Sequence, residues 1–150
     1  TLTDEIQLRG RMKDTIVLRG GENVEPLPIE MKLTESRFVT TAVVVGQDQR
    51  YLAALIVPNK VEVKEWALEN GIQFDTLDNL LVSDEVKKLF ETEVANAVNA
   101  QSGFRMFERI NKFALLDKEF EIGIELSAKQ EIMRYRLNEI YAKEIESLFK

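Results

Sequence analysis

The chain falls into blocks with two different hydrophobic periods. Residues 37–47, centred on Ala42-Val43-Val44-Val45, and residues 51–57 are nearly continuous β-branched and aliphatic runs. They are joined by the polar, glycine-led turn Gly46-Gln47-Asp48-Gln49-Arg50, which predicts an antiparallel hairpin buried on at least one face. Shorter β-prone runs at 5–8 and 15–18 flank the charged corner Gly10-Arg11-Met12-Lys13-Asp14, and a second corner, Arg19-Gly20-Gly21-Glu22-Asn23, follows. Residues 110–116 predict a further strand, and 119–126 a weaker extended stretch.

Between these runs the spacing becomes helical. Ile29 and Leu33 lie four apart in a short helix over 28–35, led in by Pro26 and Pro28. Residues 61–70 form a second helix with Trp66 on its core side and Gly71 beyond its end. Residues 72–82 have no clear period and read as a connecting loop. Ser83 is placed to cap a third helix, with Asp84 and Glu85 in its first turn and a stripe of Val86, Leu89, Phe90, Val94, Ala97 and Val98. Residues 102–108 break the pattern around Gly103. A last helix from about residue 130 carries Met133, Leu137, Ile140, Tyr141, Ile145, Leu148 and Phe149 on one face. The sum is an α+β domain, a small sheet built from β-hairpins packed against three to four helices.

Composition narrows the chemistry. At 150 residues the chain suits one domain and is small for a complete ATP-using ligase. It has no cysteine and no histidine, which removes disulfides, thiolate metal sites, cysteine nucleophiles and the commonest general base. Carboxylate, lysine, arginine and backbone chemistry remain, a set that suits an accessory domain. The net charge is −6, without a basic block, so nucleic-acid binding is disfavoured. No apolar run approaches the roughly 20 residues of a membrane span, so no transmembrane segment is expected. A start at Thr1, without methionine and in mid-strand, reads as a piece of something longer.

One stretch carries far more than secondary structure. Gly10-Arg11-Met12-Lys13-Asp14, then Ile16-Val17-Leu18, then Gly20-Gly21-Glu22-Asn23, then Pro26-Leu27-Pro28-Ile29-Glu30 fill about twenty residues. This series resembles the linker and first hairpin of the C-terminal lid domain in adenylate-forming acyl-CoA synthetases, most of all the long-chain fatty acid–CoA ligase branch. The resemblance continues through Val43-Val44-Val45-Gly46-Gln47-Asp48 and the run from Tyr51 to Pro58, and returns near the C-terminus.

The resemblance implies a division into the end of a linker and hinge over 1–13 and a lid domain over 14–150. It makes Lys13 the hinge residue, Arg11 a nucleotide-facing cation, and Gly20 and Gly21 a loop along the tunnel for the pantetheine arm of coenzyme A. The final motif departs from the family. Where a lysine would face the acyl carboxylate and α-phosphate, the ungapped reading Leu126-Ser127-Ala128-Lys129-Gln130-Glu131-Ile132-Met133-Arg134 holds Glu131. A carboxylate would repel phosphate, so Lys129, two residues earlier, is the candidate catalytic lysine; a solvated residue before a helix is the alternative.

The implied whole is an ATP-dependent long-chain fatty acid–CoA ligase that consumes fatty acid, ATP with Mg and coenzyme A, with this lid rotating on its own N-terminal adenylation domain. The chain alone is expected to bind none of these and to be inactive, with no metal site of its own. The implied localisation is cytoplasmic, with peripheral membrane contact allowed. Two alternatives stand beside it: the lid of an acyl-acyl carrier protein synthetase, and a non-catalytic binding or regulatory module that has lost its lysine.

Overall fold

A computed structural model describes residues 15–116 and 118–149. The elements run β1 (Ile16–Val17), β2 (Asn23–Val24), α1 (Pro26–Leu33), β3 (Val39–Val45), β4 (Leu52–Pro58), α2 (Lys60–Glu69), α3 (Leu77–Leu81), α4 (Asp84–Ala97), β5 (Ile110–Leu115), α5 (Arg134–Ile140) and α6 (Ala142–Leu148). This is the expected α+β class. The run at 5–8 and the corner at 10–14 lie outside the described residues.

β3 and β4 form the expected antiparallel hairpin, with Val43 opposite Leu55. β5 then pairs with β4 in parallel, Ala54 opposite Phe113, to give the order β3-β4-β5. All seven residues of the central strand are buried. That is why it reads as a continuous apolar run with no alternation.

The two faces of this sheet carry different helices. Ala42, Val44, Leu52, Ala54 and Ile56 face a core shared with α1, α2, α3 and α4, which contribute Ile29, Val63, Leu80 and Phe90. Val43, Val45, Ala53, Leu55 and Val57 face a smaller core closed by Leu116 and by Leu137 and Leu148 of α5 and α6. The period-two swing of side chains therefore feeds two cores from one hairpin.

Most helix signals act as read. Pro26 starts α1, two residues earlier than expected, because its missing N–H costs nothing in the first turn. The Ser83 hydroxyl caps α4 by accepting the Val86 N–H at 3.4 Å. Trp66 is half-buried and meets Phe38 edge-on, with ring centroids 6.4 Å apart.

Among the described residues six α-helices stand where three to four were expected, for two reasons. The predicted loop at 72–82 contains α3, nucleated by the Thr76 hydroxyl, which accepts the Asn79 N–H at 3.1 Å. The single C-terminal helix is two: it starts only at Arg134 and bends at Tyr141, whose phenol donates to Glu125. The extended stretch at 119–126 forms no strand: it holds a turn at 123–125 and isolated bridges from Leu126 to Ile122 and to Ile132.

Packing sets a first expected outcome. Phe90 is fully buried, so Phe90→Ala should lower stability by about 3–5 kcal/mol in urea denaturation. Leu68, 63% exposed on α2, should change it by no more than about 0.5 kcal/mol when cut to alanine.

Candidate functional site

The glycine corner closes the β1–β2 hairpin. Gly21 donates its N–H to the Leu18 carbonyl, and Leu18 donates to Glu22, both at 2.9 Å. Gly21 has φ +93°, the left-handed region in which a side chain is strained. Gly20 is under no such constraint: a Cβ there would meet only the carboxylate end of the Glu22 side chain, at 2.6 Å. Both glycines are exposed.

This hairpin is fastened to the β3–β4 turn. Asp48 N–H donates to the Val17 carbonyl and Arg19 N–H to the Gln49 carbonyl, each at 2.9 Å, while the Gln47 side-chain oxygen accepts the Val17 N–H at 3.0 Å. The turn itself is tight. A Cβ on Gly46 would come within 2.9 Å of Leu52 Cδ2 and 3.1 Å of the Tyr51 carbonyl. Lys13 and Arg11 lie outside the described residues.

The C-terminal motif forms a compact turn. The Ser127 hydroxyl accepts the N–H groups of Lys129 (3.3 Å) and Glu131 (3.2 Å). Its own N–H donates to the Glu131 carbonyl at 2.8 Å, and Gln130 adopts φ +66°. Lys129 and Glu131 are both exposed. Among the described residues no carboxylate lies within ion-pair distance of the Lys129 ammonium. The turn thus offers an exposed cation at its tip with a carboxylate two residues away, an arrangement open to an anionic ligand at Lys129.

Two buried carboxylates hold the base of this turn. Glu125 is 0% exposed; its Oε1 accepts the Glu121 N–H at 3.0 Å and its Oε2 the Tyr141 phenol at 2.6 Å. Burial pushes its pKa up, but the Tyr141 hydroxyl, the Glu121 amide and the Lys118 ammonium at 3.8 Å outweigh that and hold it below the ordinary carboxylate value. Its backbone carbonyl accepts the Met133 N–H at 2.9 Å.

The second carboxylate is Glu30, at the end of the Pro-Leu-Pro-Ile-Glu stretch. Arg134 forks onto both of its oxygens at 2.7 Å each, and Glu30 Oε2 also accepts the Val44 N–H at 2.8 Å. Motif reading placed these two residues in separate stretches and missed that they meet. The available signal was chemical: a glutamate directly after Ile29, on the face bearing Leu33, needs a cation or a strong donor when buried.

A cleft of about 260 Å³ is bordered by Thr15, Ile16, Gly46, Gln47, Arg134 and Asn138, among others. It brings the first hairpin and the start of α5 to one place. Lys129, Gly20 and Gly21 are not among its lining residues. A larger open groove of about 680 Å³ between α2 and α3 involves none of the expected site residues. Among the described residues no cluster of three or more acidic side chains could hold a metal ion, and no helix is long and apolar enough to cross a membrane.

Together these features describe an α+β domain with two exposed turns, a glycine-rich one closing the β1–β2 hairpin and a lysine-bearing one before α5. The family model described as the AMP-binding enzyme C-terminal domain matches residues 13–150. The chain belongs to that family. It is 58% identical over 83 residues to a chloroplastic long-chain fatty acid–acyl-carrier-protein ligase of Arabidopsis thaliana, covering 55% of this chain and 11% of that protein. It is 27% identical over 162 residues to a long-chain fatty acid–CoA ligase of Mus musculus, covering 97% of this chain and 24% of that one. The adenylation domain of a carboxylate reductase from Mycobacterium chelonae shares the fold, with a TM-score of 0.74 and 24% identity over 93% of this chain and 20% of its own. The chain spans no more than about a quarter of the length of these proteins.

The Glu125 environment gives a pH-dependent outcome. With its pKa lower in the folded than in the unfolded state, Glu125 stabilises the fold above about pH 4.5, and that contribution is lost as pH falls through the folded value. Tyr141→Phe should cost about 1.5–3 kcal/mol at neutral pH, the range for a hydrogen bond to a charged group. The difference from wild type should narrow on acidification, as read by chemical denaturation at descending pH.

Proposed function

We propose that this chain is the C-terminal lid of an ATP-dependent long-chain fatty acid–CoA ligase. The observation that carries this reading is the family match across residues 13–150, joined by relatives that are long-chain fatty acid ligases. In the first half-reaction the fatty acid carboxylate attacks the α-phosphorus of ATP and pyrophosphate departs. In the second the thiol of coenzyme A attacks the acyl carbonyl, its proton is lost, and AMP departs.

In this reading the lid serves both steps in turn. Lys129 reaches from its turn toward the acyl carboxylate and α-phosphate, where an ammonium offsets the charge gathered in the transition state. Lys13 is the hinge that turns the domain between steps, and Arg11 leans on the nucleotide as a fixed cation. Gly20 and Gly21 let the pantetheine arm pass close to backbone; the open space beyond Gly21 supports this. The Mg that accompanies ATP is assigned to the partner domain; among the described residues no acidic cluster offers it a site.

A second reading changes only the acceptor, with an acyl carrier protein in place of coenzyme A. The 58% identity to the plant carrier-protein ligase favours it over that part of the chain. Supplying acyl-adenylate to the full-length enzyme with either acceptor separates the two readings. Faster thioester formation with coenzyme A supports the first, and faster formation on the carrier protein supports the second.

The Lys129 assignment is tested in the full-length enzyme by Lys129→Ala. Fatty-acid-dependent ATP–pyrophosphate exchange should fall about 100-fold, equal to about 2.7 kcal/mol. Thioester formation from supplied acyl-adenylate should persist. Retention of both rates would remove Lys129 from the chemistry.

A further inference from the structure

The Glu30–Arg134 pair is more than the fold requires. Removing two charges from water is costly, and a buried ion pair is often no more stabilising than apolar side chains of the same volume. What the pair does supply is direction. A guanidinium forked onto both oxygens of one carboxylate has a single geometry, and the carboxylate is itself fixed by the Val44 N–H of the edge strand β3.

The position of Arg134 decides what is being directed. It is the first residue of α5, immediately after the turn that carries Lys129. At the other end of that turn, Glu125 is locked by Glu121 and Tyr141, and its carbonyl takes the Met133 N–H, so the two strands of the turn are tied beside Arg134. Ser127 then stiffens the tip. The only element linking this assembly to α1 and β3 through side-chain charge, among the described residues, is the Glu30–Arg134 pair.

We infer that Glu30 and Arg134 are positioning residues that aim the Lys129 turn for the adenylation half-reaction. This rests on the reading of Lys129 given above. It also accounts for how a lysine displaced by two positions can serve: the turn is held from below, so its tip has one direction, set by a pair whose members lie 104 residues apart in sequence.

The test uses the full-length enzyme with the apolar pair Glu30→Leu/Arg134→Met, a replacement of similar volume. The melting temperature should stay within a few degrees, and thioester formation from supplied acyl-adenylate within about threefold. The kcat of ATP–pyrophosphate exchange should fall at least tenfold with the KM for ATP little changed, and amide hydrogen exchange should quicken at residues 127–131. Arg134→Lys keeps the charge without the fork; it should lose part of the exchange rate, and it serves as the test if the double variant does not fold. An unchanged exchange kcat with unchanged hydrogen exchange at 127–131 overturns the inference, as does an equal loss in both half-reactions. Failure of the Lys129 reading is separately visible, as an intact exchange rate in Lys129→Ala.

Discussion

A carboxylate that leaves water must be met by donors, and Glu30 is where this chain answers that demand. It sits in the first helix, beneath the hairpin, and takes one hydrogen bond from the edge strand and two from an arginine near the other end of the chain. Without Arg134 the buried charge would be uncompensated, and without Glu30 the arginine would have no reason to turn inward. One side chain thus touches the first helix, the sheet edge and the C-terminal helices, beside the apolar packing of Leu137 and Leu148 on the sheet.

Glu125 repeats the logic on a smaller scale. It is fully buried yet remains acidic, because three kinds of donor surround it: an amide, a phenol and an ammonium. Its partners all lie within the C-terminal segment, so it organises that segment internally, whereas Glu30 fastens it to the rest. Between these anchors the chain carries an exposed turn with Lys129 and Glu131 both at its surface.

The hairpin of β3 and β4, the Ser83 cap and the apolar stripe of α4 were legible because each is decided by neighbours within a few residues. The family was legible in the Gly10–Glu30 stretch because many fixed positions fall close together. The parallel pairing of β5 was not, since nothing in Ile110–Leu115 states which strand it will join. The split of the C-terminal helix at Tyr141 was hidden for the same reason: the residue fits a helical stripe, and only a bond to Glu125 reveals its second role. Glu30 and Arg134 were each visible as motif residues, but their meeting belongs to tertiary structure. Among the candidate site residues, the turns bearing Gly20, Gly21 and Lys129 are visible as exposed turns, while Arg11 and Lys13 lie outside the described residues.

The parallel strand has a consequence for the order in which the domain is built. β3 finds β4 across a short turn, but β5 joins β4 only after the chain has travelled through three helices, closing Leu52 onto Ile110. Contacts of such sequence separation form slowly, because loop entropy is lost before packing is gained. The second face of the sheet draws on still more distant positions, with Leu137 and Leu148 packed in one cluster with Val43, Val45 and Leu55. The C-terminal helices therefore rest on the hairpin through contacts of long sequence separation, the kind that loop entropy makes slowest to form.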